Sequence, residues 1–520
     1  MVVLPATLVA SAVLLPLAYL VLRTAEAGPN ALALLWHIRT FELLVRTTGL
    51  ALAVTTTAVA IAMPLAWLTV HTDLPARRVW AVLVVLPLVI PSYVGAFAYV
   101  AALGPRGMLQ QALSGPFGVE RLPEIYGLPG AWLVLTLFTY PYVLLTLRAA
   151  LQGLDPALEE AARSLGFSRW AAFWRVTLAQ LRPALTAGGL LVALYTLSDF
   201  GVVSMLQFDS FTRAIYVQYQ AALDRTLAAA LALLLVLLTL ALQVVEVRTR
   251  GRARQQWRSG RSVRPQPVAR LRRWRWAAVA FCAGVVGLAL VLPLGVLVYW
   301  LAVGLRRIEA LGPIGEAALN SVYASSVAAL AAVAAALPVA LLMVRYPSLL
   351  SALVERAAYA GFALPGIVVA LALVFFGARY ATPVYQTIFL LVFAYVVRFL
   401  PQALGAARAS LLQVSPRLEE AARSLGRTWP RVLIEVTLPL VRPGVVAGAA
   451  LVFLTSMKEL PATLLLSPIG FKTLATVSWR NATEGFFAEA ALPALLLVLV
   501  SGLSLSFVLG RGESGEGRHE

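Results

Sequence analysis

The chain has 520 residues, of which 60% are apolar and only 13% charged, against roughly a quarter charged in ordinary soluble domains. A soluble globule of this make-up would expose far more apolar surface than water tolerates. That excludes a soluble enzyme, a disordered tail protein and a secreted disulfide scaffold. The net charge of +18 suits either nucleic-acid binding or the basic cytoplasmic loops of a membrane protein, and its distribution decides between them.

Twelve apolar runs follow one another, near 2–22, 43–70, 79–103, 131–150, 184–205, 226–247, 276–304, 319–345, 354–377, 384–408, 443–466 and 490–510. Each is about the 20 residues that a membrane helix needs. Continuous runs, with no alternation, exclude a membrane β-barrel. The segment from Met1 to Leu22 lacks a basic start and a clear small-x-small cleavage site, so it reads as a retained helix. Both termini are then cytoplasmic, and the cytoplasmic segments hold most of the lysine and arginine, as the positive-inside rule requires. The stretch Arg248 to Arg275 alone carries 11 arginines. Its place between two membrane blocks makes it a linker beside anionic lipid headgroups, with no nucleic-acid role.

The single cysteine, Cys282, excludes an intrachain disulfide and a cysteine metal site. His37, His71 and His519 are far apart and show no ligand spacing. No metal site is firm.

The two halves are copies. Residues 159–166 and 419–426 both read EEAARSLG, 260 positions apart. Pro156 pairs with Pro416, Thr177-Leu178 with Thr437-Leu438, Arg182-Pro183 with Arg442-Pro443, and Gly188 with Gly448. Upstream the offset is 274, pairing Pro64 with Pro338 and Pro91 with Pro365. Because six spans per half is an even number, both copies cross the membrane in the same sense, which makes a parallel repeat. The organisation is a first half, 1–247, with its repeated loop at 151–183; the arginine linker, 248–275; a second half, 276–510, with its loop at 411–442; and a tail, 511–520.

The repeated loop predicts a helix, a glycine bend and a second helix. Asp155 suits the N-cap and Pro156 the first helical position. Leu158, Ala161, Ala162 and Leu165 fall on one helical face, Glu159 and Arg163 stand four apart with the acid first, and Gly166 stops the helix. Ser168 starts a second short helix, expected to end near Arg182-Pro183, where the next span begins. The second copy repeats this with Ser415, Pro416, Gly426 and Thr428.

Glu160-Ala161-Ala162, three residues, Gly166, nine residues and Val176-Thr177-Leu178 resemble the EAA loop of ABC importer permeases. Glu420-Ala421-Ala422, Gly426 and Val436-Thr437-Leu438-Pro439 match at the same spacing; Ala179 stands where the family usually closes with proline, as Pro439 does in the second copy. The resemblance implies the type I, MetI-like fold: an all-α polytopic membrane protein of about 12 helices in two parallel six-helix repeats. It implies that each EAA loop is a coupling helix seated on an ATP-binding subunit, so that two copies of that ATPase and an extracytoplasmic substrate-binding protein are the partners. It also implies a multi-pass protein of the bacterial cytoplasmic (inner) membrane.

The only lysines are Lys458 and Lys472, and neither follows glycine in a Gly-Lys-Ser/Thr sequence. A P-loop needs that arrangement to cradle phosphates. The chain therefore carries no cofactor of its own, and ATP and Mg are expected on the partner ATPase subunits. It is no enzyme.

At the outer ends of spans five and eleven stand Ser198-Asp199-Phe200-Gly201 and Lys458-Glu459-Leu460-Pro461, with Asp199 aligned to Glu459. Two readings are open. An acid near a span marks a translocation pathway by default, with Ser198, Asp199, Lys458 and Glu459 as candidates and a hard cation as cargo. Alternatively each acid lies at the membrane edge and pairs locally. The SDFG pattern with FTRAIY downstream, and KELPATLLL with GFKTLAT, are similar to fused permeases of the ferric-iron importer group. That resemblance implies iron as cargo, with thiamine, phosphonate or another small solute as the alternative. A secondary transporter with parallel repeats is the competing class; it explains the duplication but not the paired EAA loops.

Overall fold

A computed structural model describes residues 2–26, 37–221, 225–257, 268–305 and 312–513. His519, linker residues 258–267 and the tail from 514 lie outside the described residues. Regular structure among the described residues is helical, apart from one isolated bridge between Thr72 and Ala269. Among them, nine helices are long and apolar enough to cross a membrane. Two helix pairs, bent by 94° and 100° at a short break, are long and apolar enough only when taken together, and a shorter apolar helix covers Phe487–Leu503. Together these fall on the twelve predicted runs, and they are numbered in that order below.

The repeat holds at the level of whole helices. Span two, Ile38–His71, and span eight, Gly312–Arg345, are both 34 residues long, and their first residues stand at the 274 offset. The two bends come at the paired prolines. A residue before proline is driven out of the helical region by the ring. Ile90 (ψ 120) and Leu364 (ψ 118) are accordingly extended. Pro91 and Pro365 are extended too, and new helices start at Ser92 and Gly366.

Spans five and eleven differ from expectation. They do not begin at Pro183 and Pro443; span five is one helix from Trp170 to Ser198 and span eleven one from Trp429 to Met457. The prolines lie inside them. The second short helix of each EAA loop is thus the opening stretch of the span. The join is a π-helical turn, Phe173–Thr177 in one copy and Leu433–Thr437 in the other. Such a turn carries an extra residue in the ladder and is tolerated where neighbours demand it.

The described residues form two compact units. One comprises Ile38–Ala214 with Leu237–Ala302, and the other Met1–His37, Ile215–Val236 and Val303–Glu520. Span seven therefore belongs to the unit of spans two to five, where the Tyr99 hydroxyl donates to the Leu288 carbonyl at 2.9 Å. Span one belongs to the unit of spans eight to twelve. There Tyr19 meets Phe376 and Tyr380 edge-on, with centroids 5.9 and 6.1 Å away, and Glu26 pairs with Arg379 at 3.1 Å.

In the first of these units the linker end is tied to the loop after span two. The Ala269 amide donates to the His71 carbonyl (2.7 Å), the Asp73 amide to the Ala269 carbonyl (3.2 Å), and the Leu271 amide to Asp73 Oδ1 (2.8 Å). The loop after span two and the end of the linker thus meet here.

Candidate functional site

Each EAA loop is built as a nine-residue helix, Pro156–Ser164 or Pro416–Ser424. Asp155 caps the first by accepting from the Ala157 amide at 3.0 Å. Ser415 makes no side-chain cap. Both helices close in the same way. The Phe167 amide donates to the Ala162 carbonyl (3.2 Å) and the Gly166 amide to the Arg163 carbonyl (3.0 Å). In the second copy Arg427 donates to Ala422 (3.2 Å) and Gly426 to Arg423 (2.9 Å). These bonds form a Schellman motif, in which the residue after the cap must be left-handed. Gly166 has φ +90 and Gly426 φ +82, where a side chain would cost about 1–2 kcal/mol. The spacing EAA-x3-G is therefore a helix with its stop built in.

Ala162 is buried and Ala422 half-buried, while Glu160, Ala161, Glu420 and Ala421 are exposed. The expected apolar face is largely uncovered: Leu158 is 51% and Leu165 79% exposed, and Leu418 and Leu425 are 49% and 83% exposed. The other glutamate of each motif turns inward. The Thr177 hydroxyl, buried in the π turn, donates to Glu159 Oε2 at 3.1 Å, and that of Thr437 donates to Glu419 Oε1 at 3.2 Å. One hydrogen bond thus ties each short helix to the base of its span.

Around this shared frame the copies differ. Arg345, the last residue of span eight, sends Nε (3.1 Å) and Nη2 (2.9 Å) to Glu419 Oε1, and Nη2 also to the Val414 carbonyl (3.0 Å). The residue 274 positions earlier is His71. It is buried and stacks on Trp67 at 4.8 Å. Trp67 meets Phe173 edge-on at 5.4 Å, and Trp170 packs beside Trp174 at 5.6 Å. An ion pair holds one copy where aromatic packing holds the other.

At the opposite end of spans five and eleven lie the two acids. Asp199 is extended (ψ 130) and ends span five. It is buried, and its carboxylate accepts from Ser92 Oγ at 2.6 Å and from the Val202 amide at 2.8 Å. That amide belongs to the first turn of the next short helix, Gly201–Met205. Its carbonyl accepts from Thr212 Oγ1 at 2.7 Å. Glu459 is also buried; it accepts from the Ala462 amide at 3.2 Å and pairs with Arg398. Ser198 and Lys458 are half-buried beside them. Each acid is taken up by its own surroundings, and Glu459 finds its cation on span ten.

The partner switch follows from the repeat. Ser92 stands at the 274 offset from Gly366. A Cβ on Gly366 would collide with the Arg398 guanidinium and lie 2.7 Å from Glu459 Oε1. Losing the serine side chain is what admits the arginine. Sequence reading missed Thr177, Thr437, Arg345, Arg398 and Ser92. A signal existed for Arg398, a charge within an apolar run, and for Arg345, which ends one.

Comparison with known proteins gives two family matches within the chain. The family described as binding-protein-dependent transport system inner membrane component matches residues 58–253 and again 313–511. An Fe(3+)-transport system permease protein of Haemophilus influenzae is 35% identical over 495 residues, covering 94% of each chain. A putative ferric transport system permease protein of the same organism is 25% identical over 405 residues, 74% of this chain and 63% of the other. A molybdenum transport system permease protein of Escherichia coli is 32% identical over 156 residues, 29% of this chain and 67% of the other.

Proposed function

The chain belongs to the family of binding-protein-dependent transport system inner membrane components, and we propose that it is the whole membrane pathway of a ferric-iron ABC importer, both repeats in one polypeptide. It is a transport subunit; hydrolysis of ATP, with its Mg, takes place on partner chains. Two copies of the ATPase engage it, one at each EAA helix, and an extracytoplasmic binding protein delivers the cargo at the other face. Both termini are cytoplasmic. One observation carries the reading: two helices of identical closure present Leu158 and Leu165, and Leu418 and Leu425, outward, each helix bonded to the foot of a membrane span through Thr177 or Thr437. An amphipathic helix with an uncovered apolar face fits a groove on a partner, and Glu160 and Glu420 offer it acidic contacts.

ATP-driven closure of the partners moves the two helices together. The movement passes through the Glu159–Thr177 and Glu419–Thr437 bonds into spans five and eleven. Alternating access is then a shift between two states that ATP and cargo stabilise differently. Iron as cargo is supported by the similarity to the Haemophilus influenzae permease over 94% of both chains.

The test is uptake into proteoliposomes carrying this chain, its ATPase and its binding protein. ATP-dependent accumulation of radioactive iron is expected. Uptake of thiamine without iron overturns the cargo, and uphill transport by this chain without any ATPase overturns the mechanism.

A further inference from the structure

In the unit that holds spans eight to twelve, a pocket of about 400 Å³ opens beyond the end of span eleven. It lies at the end of the span remote from the EAA helix. Tyr216, Thr463, Lys472, Thr476, Trp479 and Arg480 are among its lining residues. Lys472 and Arg480 are the charged groups of the lining, and no carboxylate is among them. Glu484, next to Thr483 at the end of the same helix, is the acid nearest in sequence and lies outside the lining; Glu459, four residues before Thr463, is committed to Arg398.

Both cations stand on fixed backbone. Asn320 Nδ2 donates to the Lys472 carbonyl at 3.0 Å. The next helix, Leu474–Thr483, is started by a Thr473/Thr476 capping box, and its first amide, that of Leu474, donates to Ser321 Oγ at 2.8 Å. Thr476 and Arg480 are four apart on that helix and share a face. Tyr216 and Trp479 form aromatic walls of the pocket, and both cations reach it from exposed positions.

The first repeat carries an acid at the corresponding place. There Phe211 starts the matching helix, and its amide donates to Thr47 at 3.1 Å. Thr47 stands at the 274 offset from Ser321. The residue that corresponds to Lys472, two before the helix start, is Asp209. It pairs with Arg213 and with Arg46, the latter at 3.5 Å. One repeat sets a carboxylate between two arginines at this place, and the other leaves two cations lining a cavity with no carboxylate in the lining.

We propose that the Lys472–Arg480 pocket is a binding site for an oxyanion-bearing ligand, a carboxylate or phosphate group either free or within an anionic metal chelate. A cavity of this size suits a small organic anion. Two cationic donors recognise carboxylate and phosphate oxygens. This step rests on the importer reading above and deepens it: iron meets this end of the chain as an anionic complex, because a bare trivalent cation is repelled there.

The experiment is equilibrium binding to the purified full chain in nanodiscs, without ATPase, using radiolabelled citrate, ferric citrate and inorganic phosphate as separate probes. At least one binds saturably, and binding weakens as salt rises. The K472Q/R480Q double variant lowers affinity by about tenfold or more, as expected when two charge-assisted bonds are lost. The K472R/R480K variant, which keeps both charges, retains binding and shows that the pocket still folds. Equal binding of citrate and ferric citrate identifies the free anion as the ligand; ferric citrate alone identifies the chelate. Absence of saturable binding by all three probes overturns the proposal, as does unchanged affinity in the glutamine variant. Loss of binding-protein capture in that variant, with no anion binding to the wild type, overturns it in favour of a protein contact. Failure of the importer reading is seen separately, as anion binding that persists while the complete complex shows no ATP-driven uptake.

Discussion

At the end of span two the first repeat carries His71, stacked on Trp67; at the end of span eight the second carries Arg345, bonded to Glu419 and to the Val414 carbonyl. Arg345 thus reaches an EAA helix directly, whereas Trp67 meets the π turn at Phe173; both EAA helices have nine residues, are closed by a left-handed glycine and are tied by a threonine to a π turn. The same division appears at the other end. Asp199 takes Ser92, and Glu459 takes Arg398. After duplication the backbone bonds that shape the helix and its turn were kept. The contacts that clamp this unit to a neighbouring span were free to change, provided each buried acid kept a partner.

The strongest way to break the likeness between the copies is to reverse the charge they share. E160R with E420R is expected to abolish ATP-driven uptake while the protein still enters the membrane and elutes as a folded species, since both residues are exposed. Wild-type uptake in that double variant would remove the docking role from both helices. Next comes the outer end, where the copies differ most. R398A leaves Glu459, 7% exposed, without its cation. A buried charge stripped of its partner costs about 3–5 kcal/mol, so the thermal unfolding temperature of the detergent-solubilised chain falls steeply. S92A removes one neutral donor and leaves Asp199 its bond to Val202, at a cost of about 1.5–3 kcal/mol for a hydrogen bond to a carboxylate. Equal losses in the two variants would mean that the ion pair and the hydrogen bond are interchangeable.

At the coupling end, a double-mutant cycle between R345A and E419A should return a coupling energy of about 1.5–3 kcal/mol, the range for a hydrogen bond to a charged group. The smallest effect sharpens the comparison further. T177V and T437V each delete one hydroxyl, but Arg345 still holds Glu419 in the second copy. T177V should therefore lower uptake more than T437V. The reverse order would show that aromatic packing at Trp67 and Phe173 secures the first copy better than the ion pair secures the second.

Much of the fold was legible because apolar run length and proline position are local signals. The twelve runs and the paired bends at Pro91 and Pro365 needed only hydropathy and the 274 offset. The beginnings of spans five and eleven were misplaced because Pro183 and Pro443 looked like helix starts. A span-long helix absorbs an internal proline when the freed carbonyl finds other partners, and that depends on neighbours far away in sequence. The EAA helices and their glycines were readable, since a Schellman closure lies within a few residues. Thr177 and Thr437 were quoted in the motif without a role, because their bonds reach 18 residues back. Arg398 and Glu459 are 61 apart, and nothing in either segment alone points to the other. The arginine is admitted by a third residue, Gly366.

The unbroken course of span five from Trp170 to Ser198 makes it a rod of about 43 Å at 1.5 Å per residue. Near its lower end Thr177 is bonded to the EAA helix, and its upper tip ends on Asp199, which also grips Ser92 and Thr212. A lean of about 5° at the lower tip would sweep the upper one by roughly 4 Å over that length, enough to pull a layer of contacting side chains apart. Leverage of this kind needs no relay of small rearrangements through the membrane, only a stiff shaft with a fixed grip at each end.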